Sequence, residues 1–351
     1  MEPARFNPKR PDEHARRVAA ALDRGLALVP ALGGVVALGR GPDRLVKRFG
    51  AAFRLVTGPG RTAPSPGGPG PYRPGEITRV LDGPVAVRLA PAGGWSGLAP
   101  AREPLLRAVA ALVPDSGVGV PGDPEDADEI AGEDGTALWL KSSSPAGPGP
   151  TVIDFRARPA TVDRKGALAI LELEARLGER VRLGPGLAFS VLVVCTGNMC
   201  RSPMAHGMLE RLLAGERVFV FSAGTGAPAG LPPTPSAVEA AAELGADITR
   251  LRAKKLTAEQ VVCADLVLVM EEHHRERVLE LVSDAAVRVR LLGECLPGAE
   301  PGRGIADPVG RPLEEYRGCA AELGSALERV AEEIRQRLAA PARPKRDSQE
   351  A

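Results

Sequence analysis

From Phe189 to Val194 the chain is almost wholly apolar and rich in β-branched residues, and then its rhythm changes. Pro203–Leu213 has helical spacing, with proline at an early position where its missing N–H costs nothing. The same alternation continues to the C-terminus. Val218–Phe221 predicts a strand and Pro235–Leu244 a helix. Leu266–Met270 predicts a buried strand and Glu272–Val282 a helix. Val287–Leu292 predicts a further strand, and Leu313–Leu338 a long amphipathic helix. Strand and helix in turn predict an α/β fold, an open, mostly parallel sheet with helices on both faces.

The first half is less regular. His14–Leu28 has a helical pattern, with Val18, Ala21 and Leu22 on one side, and an apolar run over Leu26–Leu38 contains Gly33-Gly34. Val85–Leu89 and Thr151–Phe155 predict strands; Glu103–Leu112 and Lys165–Leu177 predict helices. Residues 57–75 are dense in glycine and proline and predict a loop. Residues 113–136 are acidic and turn-rich. The aperiodic stretch 178–189, with Gly-Pro-Gly, predicts a domain boundary. The expected organisation is a flexible lead-in at 1–14, a domain at 15–178, a linker at 179–189, a second domain at 190–339 and a disordered tail at 340–351.

Composition adds bounds. The 351 residues suffice for two cores, and 44% of them are hydrophobic. Lys+Arg number 45 against 44 Asp+Glu, so there is no global field for nucleic acid or an anionic membrane. Aromatics at 3% make poor stacking platforms for single-stranded RNA. The polar N-terminus has no apolar segment of signal-peptide type, and the longest apolar run, around Val261–Met270, is interrupted by Asp265. A cytoplasmic protein without membrane partners is expected. Five irregularly spaced cysteines do not make a disulfide framework and read as reactive or buried thiols.

The most informative stretch is Val191-Leu-Val-Val-Cys195-Thr196-Gly197-Asn198-Met199-Cys200-Arg201-Ser202-Pro203. A strand feeds a tight loop, and the loop feeds a helix whose N-terminus offers unpaired amides and the positive end of its dipole to an anion. Gly197 is expected to let the backbone curl so that successive amides point inward. Cys195 at the loop entrance lies under that field, which favours the thiolate needed for nucleophilic attack. The planar fork of Arg201 suits two oxygens of a phosphate, and Ser202 can donate to the thiolate. A bare Cys-x5-Arg spacing is weak; the strand before it and Ser-Pro opening a helix after it make it specific.

This stretch resembles the phosphate-binding loop of the low-molecular-weight protein-tyrosine phosphatases, which share their fold with bacterial arginine phosphatases. Ser222–Thr225, Asp265–Met270 and Ile305-Ala-Asp307-Pro308 resemble further segments of that family in the same order, over about Phe189 to Leu338. The resemblance implies phosphorylated protein substrates, a phosphocysteine on Cys195, Arg201 as phosphate clamp and Asp307 as general acid, with no metal and no cofactor. It implies that Asn198 braces the loop and that Cys200 is a redox partner for Cys195, with a passive small side chain as the equal alternative for Cys200. Alone, Asp307-Pro308 would read as a turn. Many members carry a loop-bracing histidine where this chain has Leu251. Met199 resembles tyrosine-type enzymes, Val309-Gly310 resembles bacterial members, and phosphotyrosine is expected ahead of phosphoarginine. Cys263, Cys295 and Cys319 read as buried structural thiols, and His206, His273 and His274 as helix-surface residues without a metal constellation.

In the first half, Leu22–Pro30, Pro69-Gly-Pro71, Val85–Leu89 and Thr151–Asp154 with Arg164 resemble the YrdC-type fold of threonylcarbamoyl-adenylate synthases. The polar motifs of that family are replaced, by Ala31-Leu-Gly-Gly at one place and Pro114-Asp-Ser-Gly at another, while Lys47-Arg48 reads as a solvated face. A degenerate α/β domain is expected, with RNA, a nucleotide or a protein as its candidate partner. An RNA- or nucleotide-binding module with a regulatory phosphatase half is the alternative. An arsenate reductase lacks a clustered thiol relay here, and the lost motifs oppose a bifunctional synthase.

Overall fold

The computed structural model describes residues 148–339 without a break. Before them it describes 4–5, 7, 9–24, 26–31, 34–40, 45, 53–56, 71, 85–92, 95–100, 105–106, 109, 116–119 and 136–141. The Gly/Pro-rich stretch 57–75 apart from Pro71, most of 113–136, Lys47-Arg48 and the tail 340–351 lie outside the described residues. The chain forms two units, Met1–Leu187 with Ala258–Asp265, and Ala188–Thr257 with Leu266–Ala351.

The first unit is a mixed sheet. Its strands are β1 (Ala4–Arg5), β2 (Leu26–Ala31), β3 (Gly34–Arg40), β4 (Phe53–Val56), β5 (Val85–Ala92) and β6 (Trp95–Pro100). They continue with β7 (Ser116–Gly119), β8 (Thr136–Lys141), β9 (Thr151–Asp154), β10 (Thr161–Arg164) and β11 (Arg182–Leu183). The order is β1-β8-β2-β3-β7-β4-β6-β5-β9-β10-β11. Helix α1 (Pro11–Leu22) buries Val18, Ala21 and Leu22. The predicted helix to Leu28 is corrected: Leu26–Leu28 belong to β2, which pairs antiparallel with β3. The lead-in expected to be loose contains β1 and the start of α1. Leu105, Leu106 and Val109 are helical and buried within the predicted 103–112 helix.

Helix α2 (Ile170–Leu177) starts later than the predicted Lys165. Residues before it run against the 149–151 backbone, where a Cβ on Gly166 would meet the Pro150 carbonyl carbon at 2.4 Å. Helix α5 (Ala258–Cys263) and Asp265 complete this unit. The interruption of the apolar run by Asp265 now has a reason. Ala169 provides no side-chain cap for α2. The 1%-exposed Asp265 accepts from Ile170 N at 3.0 Å and pairs with Lys165 at 2.5 Å. A buried carboxylate is thereby paired and caps a helix end.

The second unit is a four-stranded, all-parallel sheet of β12 (Phe189–Cys195), β13 (Val218–Gly224), β14 (Leu266–Val269) and β15 (Val289–Leu291), in the order β13-β12-β14-β15. Its central strands are apolar on both faces, as parallel strands covered on both sides must be. Val191–Val194 and Leu266–Val269 are all buried. β12 is followed by a neighbour on one side, β13, and later by β14 on the other. The chain reverses its direction of travel across the sheet at the C-terminal end of β12, where open α/β sheets bind ligands.

Helices α3 (Arg201–Leu212), α4 (Pro235–Glu243) and α7 (Leu313–Leu338) pack on one another, and α6 (Glu272–Leu281) packs on β14 and β15. α7 buries Tyr316, Cys319, Leu323, Leu327, Val330 and Ile334, an apolar stripe at helical spacing. The predicted strand 287–292 is shortened to Val289–Leu291 between two 3-10 turns. At Gly293, in the second of these turns, a Cβ would meet Arg303 O at 2.4 Å and Gly304 O at 2.7 Å, so only glycine fits against that backbone. Among the described residues no helix is long and apolar enough to cross a membrane.

Candidate active site

β12 delivers Cys195 to the C-terminal edge of the sheet, and Arg201 opens α3. Cys195 is 3% exposed. Its Sγ accepts from Asn198 N at 3.2 Å and lies 3.0 Å from Ser202 Oγ. The loop between is shaped from outside. Thr225 N, Gly226 N and Thr234 N donate to the carbonyls of Cys195, Thr196 and Met199 at 3.0, 3.0 and 2.9 Å. The amides of Gly197, Met199 and Cys200 make no such backbone bond among the described residues. Carbonyls turned out and amides left over describe an anion-binding nest.

The curl differs in detail from the sequence expectation. The left-handed residue is Asn198, at φ 51°, and not Gly197. A non-glycine residue there needs compensation, and the side chain of Asn198 supplies it. Nδ2 donates to Ser202 Oγ and Ser222 Oγ, both at 2.9 Å, and Oδ1 accepts from Lys254 N at 2.8 Å. Leu251 contributes no hydrogen bond to this brace; Ser222, at the end of β13, and the Lys254 backbone do. Gly224 is the close-packed glycine of the site. A Cβ there would stand 2.4 Å from Thr196 O and 2.9 Å from Asn198 N. Gly224→Ala should therefore lower the denaturant midpoint by an amount equal to about 1–3 kcal/mol. It should depress turnover further than stability alone explains, because the clash falls on loop backbone.

Arg201 is 1% exposed. Its Nη1 donates to Glu271 Oε2 at 2.5 Å and to Ile305 O at 2.8 Å, and its Nη2 donates to Asp307 Oδ2 at 2.5 Å. Burial alone would push the guanidinium pKa down; Glu271 and Asp307 reverse this and hold it above its ordinary value. Its Nε is buried and has no hydrogen-bond partner among the described residues. A donor on a cation left unsatisfied next to a nest of amides fits an incoming oxyanion. Asp307 also accepts from Val309 N at 3.2 Å through its other oxygen. The turn geometry and the contact with Arg201 thus coexist in one side chain.

Glu271 and His274 were not foreseen as part of the site. Glu271 follows β14 at the same sheet edge and is the N-cap of α6, with a reciprocal capping box to His274. His274 is fully buried, not on the helix surface. Glu271 N donates to its Nδ1 at 3.1 Å, so the proton sits on Nε2 and is given to Thr196 Oγ1 at 2.9 Å. Burial, then the His273 and Arg201 charges, push this imidazole down from 6.5 to about 4. The unfolded chain takes up that proton near 6.5, the folded one only near 4. The stability it contributes is complete above 6.5 and is lost as pH falls toward 4. His274→Gln, which keeps an acceptor and a donor but does not titrate, should flatten the fall of the melting temperature across that window.

His206 is also buried, with Nδ1 3.3 Å from Ser222 Oγ, which corrects its reading as a surface residue. His273 is exposed. Glu271, His273 and His274 bring three potential ligand atoms within 4.8 Å of one another. Glu271 and both nitrogens of His274 are already engaged by Arg201, Glu271 N and Thr196, so the trio reads as loop scaffolding. None of the five cysteines is in a disulfide. Cys200 Sγ lies 3.5 Å from both Thr234 Oγ1 and Tyr316 Oη, and burial pushes its thiol up. Cys295 and Cys319 are buried, and burial pushes Cys319 up to about 12; Cys263 is exposed, against expectation.

Known proteins resemble this unit. A sequence model described as low molecular weight phosphotyrosine protein phosphatase matches residues 190–340. A probable low molecular weight protein-tyrosine-phosphatase, EpsP of Ralstonia nicotianae, is 49% identical over 127 residues, 36% of this chain and 83% of that protein. A protein-arginine-phosphatase of Geobacillus stearothermophilus is 35% identical over 149 residues, 42% of this chain and 97% of its own. The low molecular weight protein-tyrosine-phosphatase Etp of Escherichia coli K12 is 34% identical over 149 residues, 42% of this chain and 94% of its own. A strand-loop-helix carrying Cys195 and Arg201 at a parallel-sheet switch point, with kinship of this extent, places the chain in the low molecular weight phosphotyrosine protein phosphatase family.

Proposed function

We propose that the second unit hydrolyses phosphotyrosine in proteins through a phosphocysteine on Cys195. The observation that carries this is the buried Arg201 Nε without a partner, beside a loop whose free amides surround Cys195. The Cys195 thiolate, with Ser202 as donor, forms the S–P bond as the P–O ester bond breaks. The electron pair passes to the tyrosyl oxygen, which takes its proton from Asp307. Water then attacks phosphorus while the Asp307 carboxylate removes its proton. The S–P bond breaks, phosphate leaves and the thiolate is restored. Arg201 and the loop amides carry the charge that spreads over the equatorial oxygens.

Asp307→Asn tests the acid. It should reduce kcat on phosphotyrosine peptides about 100-fold or more, and far less on p-nitrophenyl phosphate, whose leaving group needs little protonation. An equal loss on both substrates would remove Asp307 from that role. A second reading, phosphoarginine as substrate, is favoured by the identity to the Geobacillus stearothermophilus arginine phosphatase over 97% of its length. Parallel assays of phosphotyrosine and phosphoarginine peptides on one reduced preparation decide between them; negligible turnover of both would end the phosphatase reading.

For the first unit we infer a degenerate YrdC-like domain that binds RNA or a nucleotide without synthase activity. Its support is the resemblance of Leu22–Pro30, Val85–Leu89 and Thr151–Asp154. Calorimetric titration of the full chain with ATP and an electrophoretic shift with structured RNA test it. Failure of both would leave this unit no ligand-binding role.

A further inference from the structure

One buried titratable side chain has no part in the chemistry above. His206, on the second turn of α3, is 7% exposed. Its Nδ1 lies 3.3 Å from Ser222 Oγ and its Nε2 lies 3.3 Å from Glu210 Oε1. Donor counting fixes the polarity of this network. Asn198 Nδ2 has two hydrogens, and gives one to Ser202 Oγ and the other to Ser222 Oγ. Each hydroxyl then has one hydrogen of its own to give. Ser202 gives its hydrogen to Cys195 Sγ at 3.0 Å. Ser222 gives its hydrogen to His206 Nδ1, which must carry a lone pair. The Nε2 proton facing the Glu210 carboxylate selects that tautomer. Burial pushes the imidazole pKa down, Glu210 opposes this and Lys254 adds to it, and the net shift is downward, toward the neutral ring that the role requires.

We propose that His206 is a positioning residue: by accepting the Ser222 hydrogen it orients Ser222 to receive Asn198, and so fixes the amide that holds Ser202 against Cys195. It touches no substrate and acts only through these three side chains. The proposal rests on the phosphatase reading of the Cys195 loop for its kinetic effect, but not for its structural effect.

Two measurements on the full chain separate those effects. His206→Leu removes the acceptor. His206→Asn puts Oδ1 where Nδ1 was. His206→Gln is polar but carries its acceptor at the Nε2 end. With a phosphotyrosine peptide, the Leu and Gln variants should lose about tenfold in kcat, the worth of one hydrogen bond, with KM within about twofold. The Asn variant should recover most of that loss, and in a Ser222→Ala background His206→Leu should add nothing. In 15N spectra the two side-chain amide hydrogens of Asn198 should exchange about tenfold faster in His206→Gln than in His206→Asn at matched melting temperature. Equal exchange and equal kcat in the Asn and Gln variants, or a full extra loss from His206→Leu without Ser222, would overturn the proposal. Absent turnover by the unsubstituted chain would sink the phosphatase reading alone, and the exchange rates would still decide the case of His206.

Discussion

Cys195→Ser should lower turnover of a phosphotyrosine peptide by at least about four orders of magnitude and leave the peptide bound. The hydroxyl lacks the nucleophilicity of a thiolate, but it can still accept from Asn198 N and Ser202 Oγ as Sγ does, so the anion site keeps its shape. Asn198 keeps its hold on Ser222 and Lys254 N, and Arg201 keeps its position between Glu271 and Asp307. The variant should therefore retain phosphorylated proteins from a lysate and identify, by mass, which phosphoresidue the loop holds. Residual turnover within tenfold of the unsubstituted chain would exclude a phosphocysteine on Cys195.

Arg201→Lys should have the next largest effect, with a loss of about 100–1,000-fold in kcat. Lysine keeps the charge but loses the fork. In this site the fork has three assignments, since Nη1 reaches both Glu271 and Ile305 O while Nη2 reaches Asp307. A single ammonium cannot meet all three and still present a donor to phosphate. The segment carrying Asp307 is then held less firmly, so the loss should appear in kcat and KM together. A loss confined to KM would mean that Arg201 binds the ground state only. The melting temperature should also fall, because Glu271 and Asp307 would lose a buried partner and the carbonyl of Ile305 its donor.

The reach of the sequence depended on distance along the chain. Cys195, Arg201 and Ser202 were legible because strand, loop and helix are consecutive and their physics is local. The long helix Leu313–Leu338 was legible to the residue, its apolar stripe being unbroken. What the sequence could not show was supplied by packing. Ser222, Glu271, His274 and Tyr316 are far from the loop in sequence and meet it only because β13, β14 and α7 are laid beside it. Position after a parallel strand was the available signal for Glu271, while Ser222 lay in a segment already resembling the family's. The curl was assigned to Gly197 because glycine is the usual left-handed residue; here a fully bonded asparagine side chain holds the strained backbone at the next position. The helix expected from Lys165 began only at Ile170 and the strand expected to Leu292 ended at Leu291, and beside each lies a glycine, Gly166 or Gly293, that other backbone approaches too closely for a side chain.

The contact of Tyr316 with Cys200, and of Cys319 Sγ with the Ala306 carbonyl at 3.8 Å, have a consequence in time. Both come from the first turns of the last helix, and they brace the loop from one side and the acid segment from the other. On a ribosome the cysteine loop emerges first, and those braces follow after on the order of ten seconds of synthesis. Through that interval the nascent chain carries Cys195 without the completed cradle around it. The cradle is complete only once the helix Leu313–Leu338 has emerged and folded, so the nucleophile precedes its braces in time.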